Sequence, residues 1–252
     1  MITDFTKGRT KTCEELMRPE VKELLNLSLD EKIEKSKKII RDAIEKYPKI
    51  GLGFSGGTDS LILLHLVLQI KPNIPVVFVD TQHDAPETYA FIDKTRREWQ
   101  LINFKAVMAE KNRVKEFAEK FGMRSPEFTE ICCNYHKISP MMKAIGEDKF
   151  DAFFVGLRGV EHEERAKESI FSIRHNPEHF RVHPLIFWKR NDVMDYVKKF
   201  NLECNPLYKQ GYTSLGCVEC TDKNPDPNMH ERAGRGEVRE TIMQRLRELG
   251  YT

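Results

Sequence analysis

The chain has 252 residues, enough for one α/β domain of ordinary size with little decoration. Hydrophobic residues make up 40 % and charged residues 32 %, a globular composition that excludes bulk disorder. Lys plus Arg number 41 against 39 Asp plus Glu, so the net charge of +2 gives no general attraction to nucleic acid or membrane, and any polyanion site must be local.

Met1–Lys11 is polar where a secretory signal would be apolar, and no apolar run approaches the roughly eighteen residues of a membrane helix. The expectation is a cytoplasmic protein with reduced thiols and no membrane partner. Residues 1–47 carry Val21, Leu24, Leu25, Ile33, Ile39, Ile40 and Ile44 at helical spacing, which predicts a helical preface. Ile50–Phe54 then reads as a buried strand, Ser55–Asp59 as a turn and Ser60–Gln69 as an apolar helix. A strand over Pro75–Asp80 and a helix from Pro86 to Trp99 follow, with proline tolerated in the first helical turn. Further strands are predicted at Ile102–Val107, Ala152–Gly156 and Arg181–Phe187. Helices are predicted at Arg113–Phe121, Ile138–Ile145 and Asp192–Phe200.

This alternation implies α/β architecture, a doubly wound, mostly parallel sheet spanning residues 48–222. Lys223–Pro227 reads as a linker that detaches a C-terminal helix, Glu237–Leu249, so residues 223–252 form a tail. Ligands of open parallel sheets sit beyond the carboxyl ends of the strands, so residues after Phe54, Asp80 and Gly156 should share one crevice.

Ser55-Gly56-Gly57-Thr58-Asp59-Ser60 joins a strand to a helix, and its glycines let backbone N–H groups turn inward at the positive helix end. That is an anion site by construction, although an ordinary glycine turn would also explain the two glycines. Its spacing is too short for G-x-x-x-x-G-K-S/T, and it lacks the lysine. Six cysteines in a reducing compartment point to metal ligation or catalysis: Cys132 and Cys133 are adjacent, Cys217 and Cys220 form C-x-x-C, and Cys13 and Cys204 stand alone. Asp59 and Asp80 are candidates for a metal-water or ribose contact, or else a helix cap and a strand-end acid. His65 reads as a packed histidine, Trp99 and Trp188 as core or rim aromatics.

The hexapeptide resembles the pyrophosphate-binding loop of the ATP α-hydrolase (PP-loop) superfamily. Val79-Asp80-Thr81 with Pro86-Glu87-Thr88-Tyr89 resembles the adenosine-holding motif of its sulfate-assimilation branch, the PAPS reductase family. Gly156-Leu157-Arg158 through Glu161-His162-Glu163-Glu164-Arg165-Ala166-Lys167-Glu168 resembles that branch's arginine loop, which grips phosphate or sulfate oxygens. With Arg181–Leu185 and Asn205-Pro206-Leu207-Tyr208, the resemblance runs from about Ile50 to Tyr251. It implies an adenine nucleotide α-hydrolase-like fold of the HUP type. It also implies ATP with Mg²⁺ on Ser55, Gly56, Gly57, Thr58, Asp59, Ser60, Asp80 and Thr81, and Arg158 or Arg165 neutralising charge at the α-phosphorus.

Two relatives within the branch are both echoed. Cys132-Cys133-Asn134-Tyr135-His136-Lys137 with Tyr212–Thr221 resembles the ligand set of cluster-bearing APS and PAPS reductases, implying a 4Fe–4S cluster on Cys132, Cys133, Cys217 and Cys220. Structural zinc and four unligated thiols are the alternatives. Beside such a cluster Lys137 would tune the potential and reach a substrate oxygen. No cysteine follows Cys220, so the tail thiol of those reductases has no counterpart here; Cys13 is the one stand-in nucleophile, and Cys204 reads as packing. Glu231-Arg232-Ala233-Gly234-Arg235, Met243 and Gly250-Tyr251 instead resemble the tail of the small subunit of sulfate adenylyltransferase, although Gly159 and Val160 replace its usual Arg and Asp.

The expectation is a sulfur-metabolism nucleotidyltransferase that adenylylates an acceptor, sulfate or a sulfur-transfer substrate, and releases pyrophosphate. The alternatives are an APS or PAPS reductase using an external thiol, an ATP pyrophosphatase for nucleic-acid thiolation, and a non-catalytic nucleotide or redox sensor. The implied partners are a GTPase subunit, a cysteine desulfurase or a thioredoxin-like donor, in a homo-oligomer or hetero-complex.

Overall fold

Six strands pair in the order β3-β2-β1-β4-β6-β5 in the computed structural model, which describes residues 12–226 and 229–250. They are β1 (Ile50–Gly53), β2 (Val76–Asp80), β3 (Phe104–Met108), β4 (Ala152–Phe154), β5 (Phe171–Arg174) and β6 (His179–Val182). Only β5 and β6 pair antiparallel; the other neighbours run parallel. Met1–Lys11, Pro227 at the end of the predicted linker, and Tyr251 lie outside the described residues.

The α-helices of five residues or more among the described residues are α1 (Leu29–Lys46), α2 (Thr58–Leu68), α3 (Pro86–Glu98), α4 (Val114–Phe121), α5 (Pro126–Cys133), α6 (Ser139–Glu147), α7 (Arg190–Lys199), α8 (Glu237–Thr241) and α9 (Met243–Glu248). The apolar helix α2 is covered on nearly every side, with Leu61, Ile62, Leu63, Leu64, Leu66 and Val67 all buried between the sheet and the layer of α1 and α7. Ser28 and Glu31 close the start of α1 reciprocally, the Glu31 carboxylate accepting from the Ser28 N–H at 2.8 Å. The N-terminal preface is thus part of the core. Lys32 of α1 pairs with Asp192 at 2.6 Å, and the buried Trp188 indole donates to Ser36 Oγ at 3.0 Å. His65 is the packed histidine expected, its Nδ1 lying 2.7 Å from the Tyr196 hydroxyl.

Three expectations need correction. The predicted strand Arg181–Phe187 stops at Val182, because Pro184 has no N–H to give a ladder and Leu185–Trp188 turn into the core. A helix unforeseen in the sequence, α5, delivers Cys132 and Cys133, and a wide π-type turn over Asn134–Ile138 joins it to α6. The tail does not hang free: its helix breaks at Ile242, and Ile242, Met243 and Leu246 pack on Cys133 and Ile138.

Glu168 ties that tail to the sheet. Its buried carboxylate accepts from Ser172 Oγ at 2.7 Å and Arg247 Nε at 2.6 Å and meets Arg174 at 3.0 Å. Removing one partner of a buried ion pair strands the others, so Glu168→Gln is expected to lower the unfolding free energy by about 3 kcal/mol in chemical denaturation.

Candidate active site

The chain leaves β1 toward β2 and returns on the other side as β4, so the carboxyl ends of β1 and β4 part around a crevice. A cavity of about 760 Å³ opens there, lined by the Ser55–Ser60 loop and by residues that follow β2 and β4. Gly56 takes φ +75°, which glycine adopts without strain, and turns the loop under the first turn of α2. The loop is braced internally: Ser60 Oγ donates to the Gly57 carbonyl at 2.8 Å and accepts from the Ser55 N–H at 3.2 Å. The Thr58 N–H donates to the Tyr208 hydroxyl at 3.1 Å. Gly156, past β4, supports it from below; a Cβ there would stand 2.9 Å from the Asp59 carbonyl and the Ser60 nitrogen.

Arg158 is buried beside this loop. Its Nε donates to Asp59 at 2.8 Å, and its Nη2 to Glu231 at 2.7 Å with Glu161 at 3.3 Å. Arg165 pairs with the same Glu161. Arg158 Nη1 and Arg165 Nε are buried without a hydrogen-bond partner among the described residues, and both side chains line the cavity. Buried donors of this kind call for an acceptor, and an oxyanion supplies several.

Burial pushes the Asp59 carboxyl up to about 6 against the pull of Arg158, with Glu161 and Glu231 adding to the rise. A proton on Asp59 removes a negative charge from the loop, so proton and anion binding favour each other. Affinity for inorganic sulfate, itself fully ionised throughout this range, is expected to rise several-fold as the pH falls through about 6, and to stay flat there in Asp59→Asn. Isothermal titration across that interval checks it.

Asp80 and Thr81 serve the same rim differently. Asp80 Oδ1 accepts from the Gln82 N–H at 2.7 Å and the Tyr89 hydroxyl at 2.8 Å, which makes it the anchor of the turn after β2; Thr81 lines the cavity and donates to Asp84 at 2.8 Å. Glu161, Tyr208 and Glu231 lay inside motifs quoted from the sequence without a role, and Asp84 lay outside them. Cys204 packs on the core cluster, as expected, and also lines the cavity, whereas Cys13 packs on that cluster without lining it.

A second, narrow cavity is lined by Cys132, Cys133, Cys217 and Cys220. The C-x-x-C turn is held over it by the Val218 N–H on the His83 carbonyl at 2.8 Å and by His83 Nδ1, 2.7 Å from Glu219. Arg239 of α8 donates to Cys133 Sγ at 3.4 Å, and Cys217 Sγ lies 3.4 Å from Thr81 Oγ1. Burial and repulsion from the other three thiols push Cys132 up, and burial raises Cys220 to about 11 against the pull of Arg239. Thiols raised in this way ionise when a multiply charged metal centre binds them, and His136, whose buried Nδ1 has no hydrogen-bond partner among the described residues, lines the same cavity. The donor set therefore suits an iron–sulfur cluster, although among the described residues no three His, Cys, Asp or Glu side chains already stand in a metal-holding group. Thr81, Lys137 and Arg235 line both cavities and form the partition between them.

Residues 49–223 match the family model of the phosphoadenosine phosphosulfate reductase domain. Adenosine 5'-phosphosulfate reductase from Bacillus cereus (strain Q1) is 34 % identical over 171 residues, covering 66 % of this chain and 70 % of that protein. Phosphoadenosine 5'-phosphosulfate reductase from Photorhabdus laumondii is 34 % identical over 196 residues, covering 77 % and 79 %. Among solved structures, phosphoadenylyl-sulfate reductase from Candida auris superposes with a TM-score of 0.62 at 21 % identity over 84 % of this chain and 98 % of that one. FMN adenylyltransferase from Candida glabrata superposes at 0.61 and 20 % identity over 86 % and 74 %. The two structures speak for the fold alone. The matched segment contains the anion loop, the arginine loop and all four clustered cysteines, and the chain is an enzyme of the phosphoadenosine phosphosulfate reductase family.

Proposed function

We propose that this enzyme reduces an adenylylated sulfate to sulfite with a dithiol donor, its nucleotide in the loop cavity and a 4Fe–4S cluster on Cys132, Cys133, Cys217 and Cys220. The observation that carries the reading is the shared partition: Thr81, Lys137 and Arg235 face both the nucleotide cavity and the thiol cavity. When bound, the cluster supplies a redox-active, charged neighbour across that partition.

The chain's own residues position and neutralise. The loop N–H groups at the start of α2 other than that of Thr58, which Tyr208 holds, take oxyanion oxygens, and Arg158 Nη1 and Arg165 Nε offer buried donors to charge developing on the leaving phosphate. Lys137 adds a cation from the partition. A donor thiolate attacks the sulfate sulfur, the bond from sulfur to the bridging oxygen breaks, and AMP leaves with that electron pair. The second donor thiol then attacks the thiosulfonate sulfur bound to carbon, forming a disulfide and releasing sulfite. The donor loses two electrons and the sulfur gains two. A thioredoxin-class dithiol protein is the proposed partner.

One observation favours a second reading, ATP-dependent adenylylation of an acceptor with pyrophosphate release and Mg²⁺: Glu231, Arg232 and Arg235, in the segment resembling the adenylyltransferase subunit, line the nucleotide cavity. One pair of assays separates the two. Anaerobically purified protein with adenosine 5'-phosphosulfate and dithiothreitol is expected to release sulfite and AMP in equal amounts. Pyrophosphate release from ATP, Mg²⁺ and sulfate, with no sulfite in the first assay, would replace the reductase reading by the second.

A further inference from the structure

Four of the guanidinium groups that line the nucleotide cavity are each paired with a carboxylate. Arg158 faces Asp59, Arg165 faces Glu161, Arg190 faces Glu231, and Arg232 faces Glu240. A ligand oxyanion can take a guanidinium that a carboxylate already occupies only where that carboxylate gives way.

Glu231 differs from the others. A single oxygen, Oε2, accepts from Arg158 Nη2 at 2.7 Å and from Arg190 Nη1 at 2.9 Å, bridging guanidinium groups that come from the β4 loop and from the start of α7. That is the position an oxygen of a phosphate or sulfate takes between two arginines. Asp59 is fixed in the first turn of α2, and Glu161 also accepts the Arg158 backbone N–H at 3.3 Å. The Glu231 backbone is held separately, its carbonyl accepting from Thr213 Oγ1 at 2.6 Å. Its side chain can therefore rotate away while the tail stays docked.

We infer that Glu231 is a built-in surrogate anion, closing Arg158 and Arg190 until an oxyanion of the ligand displaces it. The device rejects single, weakly charged anions and admits a tail with enough charge to win both arginines. This rests on the loop cavity being the anion site of the proposed function.

The test titrates the anaerobically purified full chain with inorganic pyrophosphate. Glu231→Gln is expected to bind it about tenfold more tightly than the native protein, because the competing charge is gone. Glu231→Ala should show the same gain, which guards against a packing artefact of either variant. Glu248→Gln, removing one charge from the exposed end of α9, is expected to leave the affinity unchanged. Equal or weaker binding in both Glu231 variants overturns the inference, assigning Glu231 to scaffolding or to a cation. If the native protein releases sulfite while the variants gain nothing, only the surrogate fails. If the variants gain affinity but no sulfite forms, only the reductase reading fails. If no form of the protein binds pyrophosphate and no sulfite forms, both fall.

Discussion

Replacing Cys217 with alanine is expected to empty the thiol cavity of iron and sulfide together. The native protein, purified without oxygen, should be brown, absorb near roughly 400 nm and carry about four iron and four acid-labile sulfide per chain. With three thiolates left, the variant should be colourless, and sulfite formation should fall by at least about a hundredfold, the scale on which lost metal-site groups act. Cys13→Ala and Cys204→Ala should keep colour and iron, since Cys13 packs on the core cluster and Cys204 faces the nucleotide cavity. Cys204→Ala also separates a thiol in the nucleotide cavity from a thiol in the cluster set, because only its turnover could change. A colourless native protein holding one zinc per chain would defeat the cluster while leaving the four-thiol site intact.

How far the sequence reaches is clearest at the loop. Ser55–Ser60 was legible because strand, glycine turn and helix follow one another within a few residues, and local chemistry alone fixes which way the N–H groups face. The strands β1 to β4 were legible for the same reason, being apolar runs bounded by turn residues. Tyr208 and Glu231 had motifs but no visible role, since the Thr58 contact spans 150 positions and the Arg158 contact 73. The helix α5 escaped because its apolar positions, Phe128, Ile131 and Cys133, are few and its polar start reads as a loop. The tail was misjudged because Asn224 and Pro225 signal a linker locally, whereas Arg239, Met243 and Arg247 find partners only once the sheet has formed.

Arg158→Met is expected to damage both fold and turnover, and the two effects can be told apart. Its guanidinium holds Asp59, Glu161 and Glu231 around one buried point, so its loss strands carboxylates in low dielectric and should cost about 3 to 5 kcal/mol in denaturant unfolding. Turnover should fall by about a thousandfold beyond any loss of folded protein, the size seen when a preorganised donor to developing charge is removed. Arg158→Lys separates charge from shape. An ammonium can still neutralise Asp59 and Glu231, so most of the stability should return. It cannot present a planar fork, so Nη1, the donor without a partner among the described residues, has no replacement and turnover should remain about a hundredfold low. Native turnover in the lysine variant would mean that Arg158 only braces the loop, and the charge on the leaving phosphate would then fall to Arg165 and Lys137, whose variants should carry the deficit instead.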